Sequence, residues 1–283
     1  MKLGLNLLLW TSFVDEAHLP LCGDLRALGY DGVELPMGAG DEAHYGRLGR
    51  QLGELGLGVT TCLGLGPEED PASSDPAVRA AAVERLRAVV RMSAAAGSEV
   101  LCGPLHSAWK VFRGRGPTED ELGWSAETLR AAAEEAETCG LRLAIEPLNR
   151  FEAYVCTTVD GANELVRRVD HPALGLHYDT HHMHLEERDV TDALRRAAPS
   201  MGHVHISEND RGTPGTGQVR WEATFAGLRD AGYDGWLTIE AFSRLDPEFA
   251  AAIHIWRDTC SDPMDLARDG LSFLQHSIGS PTS

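Results

Sequence analysis

Four apolar runs in the second half of the chain end in residues able to hold a divalent cation: LAIE at Glu146, LGLHYD at Asp179, HVH at His205 and LTIE at Glu240. Acids buried at such places are costly unless they are paired or metal-bound. Three carboxylates and one imidazole make a mainly oxygen-donor set, which suits Mn2+ or Mg2+, with Co2+ feasible, and is unlike a cysteine-rich zinc site. Four protein ligands leave two positions of an octahedron open, where a substrate could chelate through two adjacent oxygens. Singly, each residue has a plainer reading: a strand-end Glu can pair with an Arg, and His205 can be a satisfied core histidine. Together, on consecutive strands, they converge.

Three further polar residues follow these ends closely. His182 lies three residues after Asp179 in YDTHHMH, Arg211 six after His205 in HISENDR, and Glu152 six after Glu146 in EPLNRFE. Taken alone, His181, His182 and His184 read as surface loop histidines and Arg211 as a solvated charge. Near a bound cation, His182 and Arg211 can hydrogen-bond a substrate hydroxyl or enolate oxygen, and Glu152 can fix a histidine tautomer. His203, two before His205 and so on the same side of its strand, reads as a core residue behind that ligand. Glu34 in VELP either reaches the pocket or makes a structural pair.

Elements able to bring such ends together recur along the sequence. Apolar, β-rich runs span Leu3 to Leu9, Gly32 to Met37, Leu57 to Leu65, Glu99 to Leu105, Leu141 to Leu148, Leu174 to Asp179, Met201 to Ser207 and Trp236 to Phe242. Several are nearly continuous in hydrophobicity, as in strands covered on both faces. Helical patterns lie between them, clearest at Pro76 to Ala96 and Ser125 to Cys139, each closed by a glycine, Gly97 or Gly140. Gly29 before Tyr30-Asp31-Gly32 and Gly232 before Tyr233-Asp234-Gly235 mark helix-to-strand turns of one make. Eight such units predict an α/β fold, a single-domain (β/α)8 TIM barrel over 1–283 with a short frayed tail at about 279–283. A doubly wound sheet would carry a glycine-rich dinucleotide turn, and neither GxGxxG nor GxxxxGK[ST] occurs. The GTPGTG stretch at Gly212 to Gly217 is expected to shape the rim of a pocket.

The chain has 283 residues, 43% hydrophobic and 24% charged, and a formal charge of -18 from 25 basic and 43 acidic side chains. That composition excludes disorder and coiled coil, and the field repels phosphate backbones and anionic membranes, so neither nucleic acid nor membrane is expected as a partner. The opening MKLGLNLLLW reads as a first strand rather than a signal peptide, and no run reaches the ~20 apolar residues of a membrane span. Six scattered cysteines without a CxxC pair point to a reducing cytoplasm.

These segments resemble the ketose 3-epimerases, the D-tagatose and D-allulose (psicose) 3-epimerase group within the xylose isomerase-like TIM barrels. The resemblance runs through MKLGLNLLLW, LHSAW, IEPLNRFE, DTHHM, HVHISENDR, VRW, TIEAF and IWRD, and the ligand intervals of 33, 26 and 35 residues fit the same family. It implies that Glu146 and Glu240 are both metal ligands and the acid/base pair, that Asp179 and His205 complete the coordination of one divalent ion per chain, Mn2+ first, and that Glu152, His182 and Arg211 contact the sugar near O1 and O2. It further implies pocket-wall positions at His106, Trp109 and Cys62 and a wall or interface position at Trp256, for which core packing is the plainer alternative; a homodimer or homotetramer is expected. Asn6 stands where some members place an aromatic residue in the pocket, which bears on substrate preference. The implied reaction inverts C3 of a free ketose through a cis-enediolate. Competing readings are an aldose-ketose or hydroxypyruvate-type isomerase, an endonuclease-IV-like phosphodiesterase, for which the early strands offer few ligands and the charge is wrong, and a non-catalytic sugar-binding barrel.

Overall fold

The computed structural model of the chain describes residues 1–279. Eight parallel strands close into a barrel in sequence order: β1 (Lys2–Asn6), β2 (Gly32–Pro36), β3 (Gly58–Cys62), β4 (Ser98–Gly103), β5 (Arg142–Ile145), β6 (Leu174–Asp179), β7 (Met201–Ile206) and β8 (Trp236–Ile239), the last pairing back to β1. Helices α1 (Leu19–Leu28), α2 (Glu42–Glu54), α3 (Pro76–Ala95), α4 (Glu119–Cys139) and α5 (Val159–Val169) fill the first five crossovers. The β6–β7 crossover holds α6 (Thr180–Glu186) and α7 (Val190–Ala197), α8 (Trp221–Asp230) precedes β8, and α9 (Pro247–Ala252) and α10 (Pro263–Gly279) follow it. The fold is the expected (β/α)8 barrel. Apart from Gly279, which ends α10, the tail expected to fray lies outside the described residues.

Local chemistry moves some boundaries from where periodicity puts them. β1 stops at Asn6 rather than Leu9, because the Asn6 side chain accepts the Leu8 N–H and turns Leu7–Leu9 into a 3-10 helix. The fourth helix starts at Glu119, not Ser125, since Thr118 and Glu121 form a reciprocal capping box ahead of the apolar stripe. The glycines after helices behave as read: Gly29, Gly140 and Gly232 have φ of 116, 68 and 63°.

Glu121 is buried, and its carboxylate accepts from Arg115 (2.6 Å), from the Thr118 amide (2.7 Å) and from the Tyr154 hydroxyl (3.0 Å). Arg115 foremost holds its carboxyl down to about 2, against an ordinary value of 4.5. A carboxyl depressed in the fold binds protons more readily when unfolded, so its stabilisation is full above about pH 4.5 and is lost as pH falls toward 2. Glu121→Gln is therefore expected to flatten that acid limb in a urea-unfolding series taken between pH 6 and 2.5. An unchanged slope would remove Glu121 from the acid response.

The barrel interior departs from the usual layers of branched aliphatic residues. Its amino-terminal end is plugged by the Trp236 indole, only 5% exposed, and its middle holds buried polar groups including Glu34, Thr60, His177 and His203. The plug fits because Gly32 stands beside it: a Cβ at Gly32 would lie 2.5 Å from both the Trp236 ring and the Gly58 carbonyl oxygen. Backbone cannot yield as a side chain can. Gly32→Ala should cost roughly 1–3 kcal/mol of stability, measured by urea denaturation, with no change in metal content.

Candidate active site

At the carboxyl end of the barrel, β5 to β8 deliver their acids to one point. Asp179 ends β6 and is in register with His205 on β7, while Glu146 and Glu240 lie one residue beyond β5 and β8. One donor atom from each of these four buried residues falls within 4.8 Å of the others. His205 Nδ1 lies 3.6 Å from Asp179 Oδ2 and 3.4 Å from Glu240 Oε1. Its Nε2 turns the other way, 2.6 Å from Glu34 Oε1. A carboxylate on the far nitrogen leaves Nδ1 free to ligate, the arrangement common behind metal-bound histidines.

The donor set fits a divalent cation on two counts. His205 Nδ1 and Glu146 Oε1 are buried without a hydrogen-bond partner, aimed into the cluster. Charge agrees as well. Three carboxylates meet one guanidinium, Arg211, leaving an excess of two negative charges that a doubly charged ion neutralises. Arg211 Nη1 donates to Glu240 Oε2 (2.6 Å), Ser207 Oγ (2.7 Å) and Asp179 Oδ2 (3.3 Å). Its backbone sits in the left-handed region, φ 63°, held by Arg211 N–H to the Glu208 carbonyl and Phe242 N–H to the Arg211 carbonyl. A non-glycine residue there is strained, and the strain aims the guanidinium inward.

The carboxylates are electrostatically unequal. Burial, then Asp179 and Glu240, pushes Glu146 well above the usual carboxylate range. Burial works the same way on Asp179, but Arg211 and His182 outweigh it and hold that carboxyl well below. Environments that drive neighbouring acids apart suit one for carrying a proton and the other for staying charged.

His182 is held by Asn149, whose backbone N–H and side-chain amide both approach His182 Nδ1 at 3.0 Å. Asn149 also donates to Glu152 Oε1 (2.8 Å), so the amide, and not Glu152 as expected, fixes this imidazole. His182 Nε2 lies 3.0 Å from Arg211 Nη2. Both nitrogens thus face donors, yet a neutral imidazole has one acceptor. An oxygen inserted between His182 and Arg211 would relieve that contact. Burial would raise Glu152, but His182, Arg211, Trp109 and Asn149 together hold it at about 2.

A cavity of about 650 Å³ opens above the cluster, lined by Glu146, Glu152, His182, His205, Arg211 and Glu240 on one side and by Cys62, Trp109, Leu8, Phe249 and Ile253 elsewhere. Trp109 Nε1 donates to Glu152 Oε2 at 3.0 Å. Asn6 and His106, expected at the wall, lie behind it with no exposed surface. Asn6 donates to Glu34 (2.8 Å), and His106 Nε2 lies 3.0 Å from the Glu146 carbonyl. Trp256 lies outside the cavity, 70% exposed and stacked on His254. The GTPGTG loop does not form the rim: Gly215 N–H donates to Glu208, as do the Gln218 and Val219 amides just beyond it, so it wraps that buried carboxylate. Glu34 makes the structural pair rather than reaching the pocket. Asn149 and Glu208 escaped sequence reasoning because Asn149 reaches His182 and Glu152 from a loop and Glu208 gathers loop amides, neither of which pattern alone places.

The chain matches the model of the xylose isomerase-like TIM barrel over residues 22–276. It is 32% identical to the L-ribulose 3-epimerase of Mesorhizobium japonicum over 96% of its own length and 93% of that protein, and 31% identical to a ketose 3-epimerase of Arthrobacter globiformis over 98% and 97%. The structure of a Methylomonas D-allulose 3-epimerase in complex with D-allulose superposes with a TM-score of 0.90 at 29% identity, covering 98% of this chain and 97% of that one. The chain belongs to the xylose isomerase-like TIM barrel family, among its ketose 3-epimerases, and is a carbohydrate isomerase.

Proposed function

We propose that this enzyme is a metal-dependent ketose 3-epimerase that inverts C3 of a free ketohexose or ketopentose, of the D-allulose/D-fructose, D-tagatose or L-ribulose type, through a cis-enediolate. The observation that carries this reading is the pair Glu146 and Glu240, brought from separate strand ends to within 4.8 Å of each other with Asp179 and His205 beside them. Inversion needs one proton removed from one face of C3 and another delivered to the opposite face. A single base cannot do both. Glu146 and Glu240 take these two parts and exchange them in the reverse direction.

Glu146, Asp179, His205 and Glu240 would hold the ion, with Mn2+ our first choice for so oxygen-rich a set and Co2+ or Mg2+ as alternatives. When bound, the ion acts as a Lewis acid toward the substrate carbonyl and its neighbouring hydroxyl. His182 and Arg211 hold the developing enolate oxygen between them, and Glu152, with Trp109 at its side, orients the C1 end. Cys62 and the apolar wall shape the space for the sugar's remaining carbons. Among the described residues no helix is long and apolar enough to cross a membrane, and the six cysteines are unpaired, which supports a reducing cytoplasm as the setting. We take the working form to be a homodimer or homotetramer.

Incubation with D-fructose, D-allulose, D-tagatose and L-ribulose, each with Mn2+, Co2+ or Mg2+, tests the reaction. C3 epimers are the expected products. Aldoses instead would move the chemistry to C1 and C2 and turn the reading to a sugar isomerase.

A further inference from the structure

His181 has no part in the chemistry above, yet it stands inside the site. Its sequence setting reads as a surface loop, whereas the structure puts it in α6, only 9% exposed and in the cavity wall next to His182. Its backbone N–H donates to Asp179 Oδ1 at 2.6 Å, and its ring meets that of His182 edge to face, with centroids 5.1 Å apart. One ligand-capable atom of each of Glu152, His181 and His182 lies within 4.8 Å of the others, so His181 adjoins the groups that face the C1 end of the sugar.

What separates the three is which lone pairs are left over. Glu152 Oε1 accepts from Asn149 and Oε2 from Trp109, while the two ring nitrogens of His182 face Asn149 and Arg211. His181 differs. Its Nδ1 lies 3.2 Å from the Glu208 carbonyl oxygen, and a carbonyl only accepts, so Nδ1 carries the hydrogen and Nε2 keeps its lone pair. No hydrogen-bond partner among the described residues meets that Nε2. The tautomer is fixed from behind. The same Glu208 carbonyl accepts the Arg211 N–H at 3.0 Å, and the Glu208 carboxylate is clasped at 2.9 to 3.1 Å by the amides of Asn209, Gly215, Gln218 and Val219 and by the Trp221 indole. The GTPGTG loop thus holds the residue whose carbonyl holds the imidazole.

We propose that His181 is a substrate-binding residue whose Nε2 accepts a hydrogen bond from the C1 hydroxyl of the ketose. It rests on the epimerase reading above, in which Glu152 orients the C1 end and His182 with Arg211 holds the enolate oxygen. A hydroxyl enclosed there must give its hydrogen to an acceptor or lose the bond it made to water. Each Glu152 oxygen is already engaged by a donor, and the His181 lone pair is the one that still lacks a partner. An acceptor placed for a hydroxyl discriminates against an analogue without it, because a methyl group leaves the buried nitrogen unpaired. His181 therefore selects CH2OH over CH3 at C1.

Binding of D-fructose and of 1-deoxy-D-fructose in the presence of Mn2+, followed by ligand-observed NMR titration, tests this. His181→Asn keeps an amide donor near the place of Nδ1 and removes the acceptor, His181→Phe keeps the ring volume without either nitrogen, and His181→Gln carries an amide oxygen to about the place of Nε2. The Asn and Phe variants are each expected to weaken D-fructose binding about tenfold and 1-deoxy-D-fructose binding by at most about twofold, and the Gln variant to recover most of the loss. Each comparison is of one sugar between two proteins, so the open-chain fraction of that sugar cancels. Equal losses for the two sugars in both variants, or none for either, overturn the assignment, since packing alone does not tell a C1 hydroxyl from a C1 methyl. Turnover is scored separately: unequal losses without any C3 epimer strike the epimerase reading, and equal losses with epimer formed strike His181 alone.

Discussion

Glu146→Gln and Glu240→Gln are each expected to lower C3 epimerisation by about 10³-fold or more while the barrel stays folded. Proton transfer by a positioned carboxylate contributes about 10²–10⁴-fold on its own, and each residue also belongs to the proposed cation set, so the two losses compound. The amide keeps the shape and one acceptor oxygen but carries neither the charge nor the exchangeable acid proton. The informative readout is solvent deuterium appearing at C3. Because the two residues work on opposite faces, one variant can retain exchange on its intact side in one epimer while net inversion is lost. Exchange at the wild-type rate from both epimers would remove that residue from the mechanism. Circular dichroism separates this from unfolding.

Exhaustive chelation should silence the enzyme, and Mn2+ or Co2+ should restore it. The physical reason lies in the charges already described: one Arg211 guanidinium cannot balance Glu146, Asp179 and Glu240 in a buried site, so the cluster favours a protonated Glu146 until a divalent ion joins it. An ion that binds only the folded state also stabilises it, by about 2.7 kcal/mol at a free concentration 100 times its dissociation constant. Added Mn2+ should therefore raise the melting temperature of chelated protein as it restores turnover. Undiminished activity after chelation, with metal analysis showing an empty protein, would end the metal assignment.

Much of this was visible in the residues before any coordinates. Strand-end acids at Glu146, Asp179 and Glu240 stand out because a carboxylate after a buried apolar run is expensive, and the eightfold rhythm of such runs says where the ends meet. Periodicity is blind to side chains that bond backward. Asn6 looks like a pocket residue because it ends a strand, yet its amide donates to Glu34 and its carbonyl caps the next turn, which keeps it buried beneath the cavity floor, touching Glu240 and Cys62 from below. The hold of Asn149 on His182 depends on a loop geometry that no spacing rule predicts. His177 was legible by the alternation that places His203 behind His205, since it lies two residues before Asp179. What alternation could not supply was the register shift that sets it opposite His203.

The Trp236 stopper has a kinetic corollary. With the amino-terminal end of the barrel shut, a sugar and its epimer share one doorway, and neither can enter until the other has departed. Progress curves should therefore bend early as newly made epimer competes for the same opening, and replacing Phe249, an apolar residue of the cavity wall, should alter release without touching the proton carriers.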